Sequence, residues 1–109
     1  MITFSDFEKI DIRIGKIISI EDAKTRKPMF RMKIDFGELG TKQTIAGLKG
    51  FYEKEELLNK KVAAVVNLEP RKMGPETSEC MILAAVAGKE EKVAVLQPEK
   101  DIDAGIKVY

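Results

Sequence analysis

Two adjacent cations, Arg71 and Lys72, stand in a short polar stretch between two apolar segments of the chain. The stretch covers residues 67–79 and also contains two prolines and one glycine. Proline fixes φ, so a loop that carries it holds its side chains in place at a lower entropic cost. Fixed cations on such a loop suit contacts with phosphate groups. An ordinary solvated turn is the alternative that this spacing leaves open.

The composition provides few of the side chains that catalysis uses. Of the 109 residues, 44% are hydrophobic and 34% are charged, and there is no histidine. This removes the commonest general base and a common metal ligand. Cys80 is the one cysteine, which excludes an intrachain disulfide and a multi-cysteine zinc site. We therefore expect no enzyme, no metal and no cofactor, and we expect Cys80 to be a buried, inert thiol.

The net charge and the N-terminal sequence indicate what kind of binding site and which compartment to expect. The net charge is +1, so any site for an anionic partner must be a local cluster of cations. The N-terminus has no basic and apolar leader, and no apolar run reaches the length of a membrane span. These features predict a cytoplasmic protein with no membrane partner, and residues 1–109 are expected to form one stand-alone domain.

Apolar residues alternate with polar ones through most of the chain, which is the pattern of strands. Ile10, Ile12 and Ile14 share one face, Ile18 and Ile20 continue it, and a glycine interrupts the strand between them. Strands are predicted over residues 10–20, 30–36, 41–46, 62–68, 81–87 and 93–96, and a helix is predicted over residues 53–59. The strands 62–68 and 81–87 are almost wholly apolar, so we expect them to be buried.

This order of elements predicts an all-β fold: a five-stranded OB-fold Greek-key barrel with one short helix between strands 3 and 4 and a short C-terminal extension. In that fold, ligands bind on the face of strands 2 and 3 and on the loops that join strands 1 to 2 and 4 to 5. The cations predicted at these places are Arg26, Lys27, Arg31, Lys33, Lys42, Arg71 and Lys72. We expect barrel closure to gather them into one electropositive surface, with a dispersed, solvated set as the alternative.

Aromatic residues make up 6% of the chain and tryptophan is absent, so platforms for stacking unpaired bases are scarce. This favours recognition of a structured nucleic acid through its backbone and shape.

Several segments together resemble the tRNA-binding OB-fold family, which includes C-terminal domains and β subunits of methionyl-tRNA synthetases, stand-alone tRNA-binding proteins and the CsaA secretion chaperone. The matching segments are residues 7–15, 34–37, 46–49, 52–57 and 67–73, together with Ser78 and residues 81–85. The resemblance implies a homodimer that binds tRNA by shape, in partnership with an aminoacyl-tRNA synthetase in trans.

The family motif implies tRNA-binding roles for a set of residues in and after the loop. The matching positions are Asn67, Arg71, Lys72, Ser78 and Met81, to which the predicted barrel face adds Arg31, Lys33 and Lys42. Asn67 has the alternative role of fixing the backbone by hydrogen bonds. Many tRNA-binding members have glycine where this chain has Pro75 and Cys80.

Two other functions stay open at this point. Residues 26–28 and 42–43 resemble CsaA, which implies a chaperone for unfolded or exported polypeptides. Residues 46–49 and 67–72 resemble the synthetase β subunit instead. A third reading is a domain that dimerises and docks a partner protein without RNA.

Overall fold

The computed structural model of the protein describes residues 1–89 and 91–109. Its strands are β1 (Ile12–Asp22), β2 (Phe30–Asp35), β3 (Thr41–Ala46), β4 (Lys61–Val65), β5 (Arg71–Met73), β6 (Glu76–Ser78), β7 (Met81–Ile82), β8 (Ala84–Ala87), β9 (Lys92–Val95) and β10 (Lys107–Val108). The helices are α1 (Phe4–Glu8) and α2 (Lys54–Leu57), and a 3-10 turn covers Gly37–Leu39. Neither helix in this part of the chain has the length and apolar character to cross a membrane.

The predicted fold class is confirmed. The main sheet has the strand order β3-β2-β1-β4-β7, and β10 adds to it by pairing with β1. All of these pairs are antiparallel, and α2 lies between β3 and β4 in the chain. The curled sheet is nearly closed, which gives an all-β, OB-like barrel with a C-terminal extension.

The barrel interior is filled by the alternating apolar side chains of the strands. The main core consists of Ile17, Phe30, Met32, Ile34, Phe36, Leu48, Leu57, Val62, Ala64, Val66 and Cys80. The period-two prediction for β2 is therefore confirmed, and so is the burial of Cys80. Burial raises the pKa of the Cys80 thiol to about 11, which keeps it protonated at neutral pH.

The expected break at Gly15 is wrong. β1 runs through Gly15, which is paired with Val62 of β4. A Cβ atom on Gly15 would lie 2.5 Å from Ile34 Cγ2 and 2.5 Å from Phe36 Cε1, so glycine permits this close approach. The irregularity in the pairing with β2 lies between Ile17 and Ser19 instead.

That bulge changes which isoleucines face the core. Ile17 is fully buried in the main core, whereas Ile18 is 44% exposed, so the expected shared face of residues 10–20 is wrong. Ile14 is buried outside the main core, and its backbone N–H donates to the Ile106 carbonyl at 2.9 Å. The C-terminal extension therefore lies along the edge of β1, where β10 pairs with Ile12 and Arg13 at the start of that strand.

Some predicted elements are shorter or more exposed than the pattern indicated. The helix expected over residues 53–59 ends at Leu57, which is buried, and Leu58 is left exposed. The strand expected over 81–87 divides into β7 and β8, and Val86 is 56% exposed, so the prediction that this strand is buried is wrong. Apolar composition alone did not distinguish a core strand from a hairpin on the barrel surface.

Candidate nucleic-acid interface

The loop that carries Arg71 and Lys72 contains its own structure, which the sequence did not predict. β5 and β6 pair so that Arg71 lies opposite Ser78 and Lys72 lies opposite Thr77. Gly74 forms the tip with a φ of +62°, a left-handed backbone that favours glycine. We call β5, β6 and their turn the basic hairpin. Its two cations are exposed, and neither forms an ion pair with a described residue.

A buried carboxylate fixes the basic hairpin to the barrel. The side chain of Glu76 is 7% exposed, and both of its oxygens accept from Arg31 Nη1 at 3.0 Å. One oxygen also accepts from the backbone N–H of Lys24 at 3.0 Å. Arg31 extends the contact by pairing with Glu21 on β1. This network, which we call the carboxylate latch, joins the basic hairpin to β2 and to the loop between β1 and β2.

The latch is charged at neutral pH. Hydrogen bonds to Glu21 and then Glu76 raise the pKa of Arg31. The backbone N–H of Lys24, followed by Arg31, lowers the pKa of Glu76 below its ordinary value of 4.5. Arg31 is thus neutralised by two acids. The expectation that it adds positive charge to one electropositive surface is wrong.

The last residue of β6 and the residue after it close the barrel against β3. The hydroxyl of Ser78 is buried and accepts from the Ile45 N–H at 3.1 Å. The Glu79 N–H donates to the Gln43 carbonyl at 2.7 Å, and the Gln43 N–H donates to Glu79 Oε1 at 2.9 Å. These bonds satisfy backbone groups that β3 would otherwise leave unpaired. Ser78 therefore attaches the end of the basic hairpin to β3.

An open groove of 840 Å³ runs beside the basic hairpin. It is lined by three cations, Lys27, Lys49 and Arg71, by two carboxylates, Glu69 and Glu79, and by apolar side chains that include Met29, Phe51, Leu68, Met73, Met81 and Val86. Phe51, Leu68 and Met81 are exposed to solvent within it. The groove thus combines cations with an apolar floor, and so can accept either a phosphate backbone with its sugars or an apolar chain.

The predicted cations do not all share one surface. Lys33 lies opposite Gln43 on β3, whereas Lys42 lies opposite Ile34, a core residue. Directly opposed residues of an antiparallel pair project to the same side of the sheet, so Lys33 and Lys42 belong to opposite faces. The expectation of one surface formed by all seven cations is wrong. Arg71 and Lys27 do share one surface, because both line the open groove.

The remaining motif residues have distinct places. Asn67 accepts from the Asp11 N–H at 2.9 Å and donates to the Lys9 carbonyl at 2.7 Å. It therefore fixes the chain that enters β1, which is the backbone role left open by the sequence. Met81 is 48% exposed in the open groove. Within residues 1–89 and 91–109, no group of carboxylate and cysteine side chains is arranged to hold a metal ion.

Sequence reasoning did not assign Lys49 and Phe51 to the site. Both line the open groove, and Lys49 Nζ lies 3.3 Å from Asp22 Oδ1, which Lys54 also contacts at 3.3 Å. These two lysines lower the pKa of Asp22. For Lys49 the sequence held a signal, since residues 46–49 are among the segments that carry the family resemblance, whereas Phe51 lies outside those segments.

Residues 12–107 match the family model described as "Putative tRNA binding domain". The chain is 42% identical over its whole length to a methionine–tRNA ligase of Methanococcoides burtonii, and it spans 16% of that curated relative.

Two solved structures share the fold over the whole chain. The CsaA chaperone of Bacillus anthracis superposes with a TM-score of 0.94 at 37% identity, and the match covers 99% of that chain. A protein related to methionyl-tRNA synthetase from Pyrococcus horikoshii superposes with a TM-score of 0.89 at 26% identity, and the match covers 98% of that chain. The two similar structures are thus a protein related to methionyl-tRNA synthetase and a chaperone.

The latch predicts a pH-dependent stability. Glu76→Gln should lower the Tm by roughly 5 °C at pH 7, because Arg31 then loses its buried charged partner. A depressed carboxyl pKa stabilises the fold above the ordinary value of 4.5, and this stabilisation is lost as the pH falls. Urea unfolding should therefore show a shallower loss of stability between about pH 5 and pH 3 in the variant than in the wild type.

The matched control is Glu69→Gln, which removes an exposed carboxylate of the same loop. It should leave both the Tm and the pH profile close to those of the wild type. Equal profiles for Glu76→Gln and the wild type would contradict the latch.

Proposed function

Because the chain belongs to the tRNA-binding domain family, we propose that it is a noncatalytic module that binds structured tRNA through the basic hairpin and the open groove. The observation that carries this proposal is the display of Arg71 and Lys72, both exposed, on a hairpin that a buried ionic network holds in place. Cations without protein partners are available to phosphates, and a fixed hairpin loses little entropy on binding.

The proposed roles of the motif residues follow from their positions. Arg71, Lys72 and Lys27 contact phosphates, and Met81 packs against sugar or base surfaces in the open groove. Asn67, Ser78 and Arg31 act by positioning the loop, because their polar groups are engaged within the protein. Contacts from Lys33 and Lys42 stay predictions, and they would reach separate parts of the RNA because the two lysines face apart.

The relatives suggest where such a module works. Because a methionine–tRNA ligase carries a homologous segment, we propose that the chain assists an aminoacyl-tRNA synthetase, in trans, in the cytoplasm. Non-specific phosphate contacts would raise the local concentration of tRNA near the enzyme.

We also propose that the protein forms a homodimer through its two ends. α1 has no buried residue, and Phe4 is 88% exposed. Tyr109 is 93% exposed at the end of β10, whose Val108 pairs with Ile12 shortly after α1. Aromatic residues left in water on adjacent segments favour a second copy of the chain as their cover.

A second candidate function is a CsaA-like chaperone that binds unfolded or exported polypeptides. The observation that favours it is the exposed apolar floor of the open groove, which a peptide side chain could cover. The likeness to the CsaA structure of Bacillus anthracis supports the same reading.

Removing the hairpin cations tests tRNA binding. Arg71→Ala with Lys72→Ala should weaken binding of total tRNA and flatten the slope of log K against log salt by up to ~1.8 units, if each side chain contacts one phosphate. Filter binding at several salt concentrations measures both quantities. The control, Lys9→Ala with Lys92→Ala, removes the same charge from exposed sites outside the groove and should leave the slope nearly unchanged. An unaltered slope in the hairpin variant would end the proposal.

Changing the groove floor separates the two functions. Leu68→Ser with Val86→Ser should weaken suppression of the aggregation of an unfolded test protein by roughly tenfold, since apolar area drives that binding. The same variant should retain most of its tRNA affinity. Leu58→Ser, an exposed apolar change away from the groove, is the control. If the wild type does not suppress aggregation, the chaperone reading is wrong.

The dimer prediction concerns α1. Phe4→Asp should convert a dimer of 12.2 kDa subunits into a monomer, because it places a charge in the apolar contact. Light scattering coupled to size-exclusion chromatography measures the mass. Leu58→Asp adds the same charge at another exposed apolar site and should remain dimeric. A wild-type protein that is monomeric at micromolar concentration would refute this interface.

A further inference from the structure

Two lysines lie directly opposite each other on the outer face of the barrel. Lys16 of β1 is paired with Lys61 of β4. Like charges at opposed positions of a sheet are destabilising. The side chain of Lys61 is only 23% exposed, so water screens the repulsion less than at a free surface. The fold therefore holds two cations together at a cost in free energy.

One carboxylate of the C-terminal segment partly offsets this cost. Lys61 Nζ lies 2.8 Å from Asp101 Oδ1, and the side chain of Asp101 is 90% exposed. Lys61 lowers the pKa of Asp101, with a smaller contribution from Lys16. Asp35 lies opposite Lys16 on β2, where its Oδ1 accepts from the Gly37 N–H at 2.8 Å. Because Asp101 is so exposed, a bound anion can displace it from Lys61 or bind beside it.

The lysine pair belongs to a cleft of 400 Å³ that shares no residue with the open groove. Its charged residues are Lys16, Lys60, Lys61, Lys100, Glu99 and Asp101. Four cations against two carboxylates leave an excess of positive charge in a chain whose net charge is only +1. The cleft therefore carries a larger positive charge than the whole chain, and the other residues together carry a small net negative charge.

Backbone hydrogen bonds hold the turn that carries Lys60 in position. Asn59 adopts a left-handed φ of 67°, and its N–H donates to the Ile17 carbonyl at 2.8 Å. The Ile17 N–H donates in return to the Lys60 carbonyl at 2.9 Å. Both backbone groups of Ile17 therefore bond to the turn. Lys61, which follows the turn, lies opposite Lys16.

We infer that this lysine cleft is a second phosphate-binding site, separate from the basic hairpin. Ammonium groups from three segments surround a space in which phosphate oxygens can accept several charge-assisted hydrogen bonds. An anion there relieves the repulsion between Lys16 and Lys61, which gives the site an advantage over scattered surface lysines. The phosphate belongs either to an RNA backbone or to a small free anion, and both sources present the same chemistry.

A titration with pyrophosphate, followed by amide chemical shifts of the full chain, tests the site directly. Shifts should saturate and concentrate on residues 16, 59–61 and 97–101. Lys60→Gln with Lys100→Gln should weaken this binding roughly fivefold, since each exposed ion pair contributes only a small part of the binding free energy. The control, Lys9→Gln with Lys92→Gln, removes two exposed lysines elsewhere and should bind as the wild type does.

Lys16→Gln separates binding from a structural role. It removes repulsion from Lys61 and attraction to Asp35 together, so the Tm should change little while pyrophosphate affinity falls severalfold. Shifts confined to the basic hairpin, or equal affinities for the Lys60/Lys100 double variant and the wild type, would overturn the inference.

A second arm with total tRNA identifies the source of the phosphate. A salt slope flattened by up to ~1.8 units in the Lys60/Lys100 double variant would assign the cleft to the RNA backbone. An unchanged slope with intact pyrophosphate binding to the wild type would assign it to a small phosphate anion. If the wild type binds no tRNA at all, the proposed function fails, and the pyrophosphate arm still decides the cleft.

Discussion

The buried carboxylate of Glu76 constrains the face that carries the basic hairpin. A carboxylate removed from water is stable only when partners compensate its charge, and here Arg31 and the Lys24 N–H do so. The partners come from β2 and from the loop after β1, so satisfying one charge fixes three segments relative to one another. Without that charge, the basic hairpin would be held chiefly by the bonds of Ser78 and Glu79 to β3.

This arrangement divides the cations of a nearly neutral chain into two groups. In the first group, Arg31 and Arg13 form ion pairs within the protein. Arg31 pairs with Glu21 and Glu76, and Arg13 pairs with Asp11 at 2.7 Å. Arg71 and Lys72 are exposed on the hairpin that Arg31 holds through Glu76. Internal neutralisation thus keeps the total charge low while Arg71 and Lys72 stay exposed, which is how a local cluster of cations is compatible with a net charge of +1.

Both proposed functions use the open groove, because its two components respond to different ligands. Its cations attract phosphates at long range and depend on salt, whereas its apolar floor gains from contact and depends little on salt. A CsaA chaperone and a protein related to methionyl-tRNA synthetase share this fold closely. Under the two proposed functions, the balance therefore lies in a few side chains, such as Leu68 and Arg71, because the barrel is common to both.

Local pattern in the sequence was sufficient for the barrel but not for its surface. The alternation in β2, the position of α2 and the burial of Cys80 follow from side-chain periodicity and apolar runs, which are properties of neighbouring residues. The cations and prolines of segment 67–79 marked it as a candidate site, with a solvated turn as the alternative. The sequence by itself therefore determined the fold class and the most promising loop.

Tertiary structure decided which cations remain available and which faces they occupy. The bulge between Ile17 and Ser19 shifts the face of every later residue in β1, and no local signal marks it. The neutralisation of Arg31 depends on Glu76, 45 residues away, and the opposition of Lys16 to Lys61 depends on strand register. Electrostatics acts through space and falls off with distance, so charges far apart in the chain can be balanced only once the barrel has brought them together.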